Sequence, residues 1–174
     1  MHRYRNVVLT GFMGTGKSTV GRLLAAQLGF EFVDTDTIIE ERHGPIAVIF
    51  AEQGESAFRA IEREVAAELG ERDHLVVATG GRLMLDPANV HALSNNAAVF
   101  CLVASPDEIL ERVTADAARI ERPLLAVDDP RQRIIDLLDE REAGYRCFTQ
   151  ILTSHRSPTD IAAELAAIVG AENS

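Results

Sequence analysis

Lysine is nearly missing from this sequence: of seventeen basic residues, sixteen are arginine and Lys17 is the single lysine. That excludes the N-K-x-D motif with which GTPases read a guanine base, because Lys17 is preceded by Gly16. Cysteine is scarce too. Cys101, inside an apolar run, and Cys147, far along the chain, have no ligand spacing and read as ordinary thiols of a reducing compartment. His2, His43, His74, His91 and His155 are scattered, so they form no metal-ligand pattern. No apolar run approaches the ~20 residues that cross a bilayer, and Met1-His2-Arg3-Tyr4-Arg5 runs straight into a strand, so the expectation is a cytoplasmic protein with no membrane partner. Basic charge is in deficit. A formal net charge of -10 excludes nucleic acid, whose phosphates need a basic face, and leaves any anionic substrate to local arginines. Repeats, heptads and linkers are absent, so residues 1–174 are expected to form one domain, by default a monomer.

What is present begins with Gly11-Phe12-Met13-Gly14-Thr15-Gly16-Lys17-Ser18-Thr19, which fits G-x-x-x-x-G-K-[ST], the phosphate-binding P-loop. Val7, Val8 and Leu9 supply a strand before it, and Val20, Leu23, Leu24 and Leu28 a helix stripe after it. Glycines let the backbone aim successive N–H groups inward, and the positive end of the helix completes a nest for phosphate oxygens. Gly14, Thr15, Gly16 and Thr19 belong to that cradle; Lys17 reaches the β- and γ-phosphates and Ser18 ligates magnesium. A compact ammonium suits such a cradle better than a planar guanidinium.

Gly29 stops the first helix, and Phe30 to Val33 reads as a short strand ending at Asp34-Thr35-Asp36. In an open α/β sheet the carboxyl ends of strands face the ligand crevice, so both carboxylates share an edge with the P-loop. Helices are expected from Thr37 to about His43, from Ile46 to Glu52 and from Glu55 to Leu69, broken at Gly44-Pro45 and Gly54. This is more helix than a crossover needs, and residues of about 36–70 are expected to form an inserted substrate-binding lobe. Strands follow at Leu75–Ala78, Ala98–Val103 and Thr149–Thr153, with helices at Pro87–Leu93, from Ser105-Pro106-Asp107-Glu108, at Pro130–Tyr145 and from Ser157-Pro158 to Val169. Between Ala115 and Pro130 the apolar period vanishes, which predicts a lid carrying Arg119 and Arg122. Strands alternating with helices predict a three-layer α/β sandwich of the P-loop nucleoside-monophosphate-kinase type, a five-stranded parallel sheet with helices on both faces.

A P-loop gives ATP or GTP binding without fixing the reaction. A small kinase must hold an acceptor in line with the γ-phosphate and keep water out, which an acceptor lobe and an arginine lid would do. At this length of match the chain resembles the shikimate kinases. The resemblance rests on the P-loop, Asp34-Thr35-Asp36, Ile49-Phe50 to Glu62 with Gly54, Glu55, Phe58 and Arg59, Thr79-Gly80-Gly81, Arg122-Pro123-Leu124-Leu125, and Arg141 with Tyr145-Arg146. It implies transfer of the ATP γ-phosphate to the 3-hydroxyl of shikimate. It further implies Asp34 in the magnesium shell, Asp36 as the base on the acceptor hydroxyl, and Arg59 and Arg141 on the substrate carboxylate. By the same likeness, Gly80 and Gly81 approach the acceptor ring, Arg122 closes on the transferring phosphates, and Arg112 and Pro158 contact the adenine.

Each residue also has a plainer reading. Asp34 can merely end a strand, Asp36 can cap the next helix, and Arg59 can pair with Glu55 or Arg141 with Asp139. The chain also departs from the family, reading Gly80-Gly81-Arg82 where shikimate kinases usually have three glycines. An arginine there is strained if the position needs positive φ, and harmless if its side chain faces away. A kinase for another carboxylated polyol such as gluconate, and an idle ligand-binding relative, are the alternatives.

Overall fold

The computed structural model describes residues 4–115, 125 and 127–172. Among them five strands, β1 (Asn6–Thr10), β2 (Glu31–Asp34), β3 (Leu75–Ala78), β4 (Ala97–Val103) and β5 (Thr149–Leu152), form one sheet in the order β2-β3-β1-β4-β5. All neighbours are parallel, with Val8 of β1 beside Val77 of β3 and Val99 of β4. The expected five-stranded parallel sheet is therefore observed. β1 is wholly buried, as a central parallel strand must be when helices cover both faces.

Alternate residues serve opposite faces. Val7, Leu9, Phe100 and Leu102 pack on α1 (Lys17–Leu28) and α8 (Pro158–Glu172). Val8 and Val77 pack against α2 (Thr35–His43), α3 (Ile46–Gln53), α4 (Glu55–Gly70) and α5 (Pro87–Ser94). Cys101 joins α6 (Pro106–Ala115) and α7 (Pro130–Tyr145) on that second side. The strong apolar face of α4, carried by Phe58, Ile61, Val65 and Leu69, is what the helical spacing predicts. α2 and α3 are the surplus in this crossover, yet Ile39 and Ile49 are fully buried in the same cluster as Val8 and Val77. The region at about 36–70 thus shares the sheet's core.

Local chemistry shifts two boundaries. α2 begins at Thr35 rather than Thr37, because the Asp34 carboxylate accepts the N–H groups of Asp36 and Thr37 at 3.0 and 3.4 Å. Capping therefore falls to Asp34, and the reading of Asp36 as a helix cap is corrected. After β3 the chain makes a short 3-10 turn, η1 (Leu83–Leu85), which has too few residues to show a period in sequence. Strand order brings the loops after β1, β2, β3 and β5 to one edge, with β1 at the point where successive connections turn to opposite sides.

Candidate active site

The donor side is built on the P-loop. Gly14 and Gly16 lie at φ 72° and 96°, a left-handed backbone that a side chain disfavours, so the loop turns its N–H groups inward as α1 begins. Thr15 is buried and its hydroxyl donates to the Phe12 carbonyl at 2.8 Å, bracing the turn. Lys17 Nζ donates to the carbonyls of Gly11 and Phe12, each at 2.8 Å, which holds the ammonium over the loop. Ser18 and Thr19 are exposed at the first turn of α1. Ser18 Oγ donates to Asp34 Oδ2 at 2.7 Å, so two hard oxygens from different loops converge where a hard cation could be taken. Among the described residues no cluster of three or more His, Cys, Asp or Glu side chains could hold a metal by itself.

The acceptor side faces it. Asp36 is half-buried, and its pKa is pushed up to about 6, first by burial and then by the charges of Asp34, Glu62 and Glu40, with Lys17 opposing. Its carboxylate lies against Gly80: a Cβ there would stand 2.6 Å from Asp36 Oδ1, so a side chain at position 80 would push that carboxylate aside. The Gly80 N–H donates to the buried Thr35 hydroxyl at 2.9 Å, locking the β3 loop to the start of α2. Gly81 is held from the other side, its carbonyl accepting the Tyr145 hydroxyl at 2.5 Å.

Arg141 is 4% exposed, with its guanidinium 5.1 Å from the Phe12 ring centroid and Nη1 3.3 Å from where a Gly81 Cβ would be. Its charge resists the upward shift that burial gives the Tyr145 hydroxyl, and its buried Nε has no hydrogen-bond partner, an uncommon state for a buried donor. No described carboxylate forms an ion pair with it, so the alternative pairing with Asp139 is not observed. Arg59 differs. Its Nη2 meets Glu55 Oε1 at 3.0 Å, as the four-residue spacing allows, and its Nη1 meets Glu62 Oε2 at 2.6 Å.

Glu62 is the residue whose role the sequence reading missed. It is 2% exposed, and burial raises its pKa while Arg59 opposes the shift. Its position three residues after Arg59 on α4, beside the stripe of Phe58, Ile61 and Val65, was the available signal for a buried ion pair. Tyr145 and Thr35 are the other two, one holding Gly81 and one holding Gly80.

Arg82 lies at φ -109°, ψ -5°, ordinary backbone for any residue, and its side chain is 43% exposed with Nη1 3.8 Å from Glu140 Oε1. The departure from three glycines therefore carries no left-handed strain. Arg112 reaches from α6 to the Gly14 carbonyl at 3.1 Å and to the Thr153 hydroxyl and carbonyl at 3.2 and 3.3 Å, tying the P-loop to the loop after β5. Pro158, exposed, opens α8 at the end of that loop. Arg119, Arg122 and most of the expected lid lie outside the described residues.

This arrangement sets the P-loop beside one strongly perturbed carboxylate, Asp36, and a buried guanidinium, Arg141, whose Nε is unpaired. The family model for shikimate kinase matches residues 13–169. A shikimate kinase of Caldanaerobacter subterraneus subsp. tengcongensis is 44% identical over 143 residues, 82% of each chain, and one of Caldicellulosiruptor saccharolyticus is 43% identical over 162 residues, 92% of each. Among solved structures, shikimate kinase from Acinetobacter baumannii in complex with shikimate superposes with a TM-score of 0.88 at 37% identity, covering 98% of this chain and 95% of that one. A gluconokinase from Sinorhizobium meliloti, at 17% identity and a TM-score of 0.67, shares the fold alone. Built on a P-loop at the edge of a five-stranded parallel sheet, this chain belongs to the shikimate kinase family.

Proposed function

We propose that this protein transfers the γ-phosphate of ATP to the 3-hydroxyl of shikimate, with Asp36 taking the hydroxyl proton. The observation that carries the reading is the sharing of Phe12 by both halves of the site. Its carbonyl accepts the Lys17 ammonium and its ring supports Arg141, so the donor's cation and the acceptor's cation hang on one P-loop residue. Phosphoryl transfer asks the protein chiefly for such positioning and charge stabilisation.

The P-loop with Lys17, Ser18 and Thr19 would hold the nucleotide phosphates, and Arg112 and Pro158 would flank the base. Ser18 and Asp34 would hold magnesium, which when bound neutralises phosphate charge. Arg141 and Arg59 would grip the acceptor carboxylate, Arg59 aimed by Glu62 and Arg141 supported by the Phe12 ring. Gly80 and Gly81 leave the ring room to approach the backbone. Residues of about 36–70 act as the acceptor lobe in this reading, and residues of about 115–130 as the lid that brings Arg122 to the phosphates and excludes water.

ADP release from magnesium-ATP, followed with shikimate, gluconate or no acceptor, tests the proposal. Release dependent on shikimate is expected, and equal release in all three overturns it. A second expectation concerns Arg59. Arg59→Ala should raise the shikimate KM about ten- to a hundredfold, the loss of charge-assisted hydrogen bonds to a carboxylate. A variant that loses only thermal stability, with KM intact, would limit Arg59 to its ion pairs with Glu55 and Glu62.

A further inference from the structure

Arg82 follows the Gly80-Gly81 loop directly, and neither its backbone nor its packing asks for an arginine. Its φ is ordinary, and its carbonyl, which accepts the Leu85 N–H at 3.0 Å, would be supplied by any residue. Its one described ion-pair partner, Glu140, stands at 3.8 Å and is itself 55% exposed. That distance lies beyond a hydrogen bond. Arg59, by contrast, is fixed to carboxylates at 2.6 and 3.0 Å, and Arg141 is buried. Arg82 is thus the least committed guanidinium on the acceptor rim.

Its location is specific. Gly81, its neighbour, touches Arg141, and Glu140 precedes Arg141 on α7, so Arg82 sits at the seam between the glycine loop and that helix. Arg59 is what chiefly draws the Glu55 carboxyl down, with Arg82 adding to it, and burial raises Glu62 on α4 and Tyr145 on α7 while Arg82 is among the charges that resist both shifts. On the acceptor side Glu55 and Glu62 share Arg59, and the carboxylates of Asp36 and Glu62 come together at Gly80, 2.6 and 3.5 Å from where its Cβ would stand, with Lys17 the cation acting on Asp36. In a chain of formal net charge -10, a carboxylated acceptor meets repulsion there unless another cation is at hand.

We infer that Arg82 is a specificity-determining residue for the acceptor: it supplies the positive charge that draws a carboxylated polyol into the pocket and retains it, exchanging its loose contact with Glu140 for the substrate carboxylate. The inference rests on the acceptor class proposed above. Steady-state kinetics of the full chain with Arg82→Gly, Arg82→Gln and Arg82→Lys test it, varying shikimate at two ionic strengths. Loss of the charge should raise the shikimate KM about fivefold, the scale of a rim charge, and flatten its dependence on salt. Turnover number and ATP KM should stay within about twofold, and Arg82→Lys should recover most of the affinity. An unchanged KM in both neutral variants, equal damage to ATP and shikimate parameters, or failure of lysine to rescue would each overturn the inference. A parent chain that turns over no shikimate would instead overturn the acceptor assignment.

Discussion

Asp36→Asn should bind ATP as tightly as the parent chain and turn over ~10²- to 10⁴-fold more slowly, the range for loss of a positioned base. Isothermal titration with nucleotide and steady-state ADP release check the two halves. The expectation depends on Asp36 being free of structural duty. Asp34 carries the α2 cap through its Oδ1, so an asparagine at position 36 breaks no helix terminus. What the substitution removes is a carboxylate that burial, Asp34, Glu62 and Glu40 hold at a pKa of about 6. A base tuned there is close to neutral pH, where it can accept a proton and still be ionised. Turnover in the parent chain should therefore fall as pH drops through about 6, and that acidic limb should vanish in Asp36→Asn.

Stability moves in the opposite sense. The folded pKa lies above the ordinary 3.8, so the fold disfavours the ionised form. Stability from this group is full below pH 3.8 and is lost as pH rises through about 6, at most about 3 kcal/mol from a shift of this size. Asp36→Asn should consequently melt higher than the parent at pH 8 and nearly level with it at pH 4. A rate close to normal, with the acidic limb retained, would remove Asp36 from the base role.

The parts that sequence discloses are those where chemistry dictates spacing. Phosphate binding prescribes where Gly11, Gly16, Lys17 and Ser18 must fall, and the strand before and helix after them are required by the same geometry. Parallel strands buried on both faces must read as apolar runs, which is why Val7–Leu9 and Leu75–Ala78 could be placed within a residue. What was not legible depends on three dimensions. Asp34 and Asp36 are two residues apart and either could cap a helix; only the fold shows that one does and that the other meets Gly80 instead. Glu62 looks like one acid among many on α4, and its burial against Arg59 emerges only when the helix docks on the sheet. Whether Arg82 is strained turns on a single dihedral angle that no residue pattern encodes.

Lys17→Met should lower turnover by about 10²- to 10³-fold, the cost of removing one preorganised donor from developing charge. The side chain now spans the carbonyls of Gly11 and Phe12, and Phe12 also supports Arg141, so the ammonium is anchored at the junction of the two half-sites. Its charge is the main influence opposing the high pKa of Asp36. Methionine should therefore shift the acidic limb of the residual rate to higher pH, an effect that a purely donor-side lysine would not produce. Lys17→Arg separates charge from shape. It keeps a cation near Asp36, so the limb should stay near its parental position, but a planar fork does not reproduce three donors around one point, and turnover should remain low. Restoration of parental turnover by arginine would show that net charge suffices, and the solitary lysine of this arginine-rich chain would then have no geometric reason to be there.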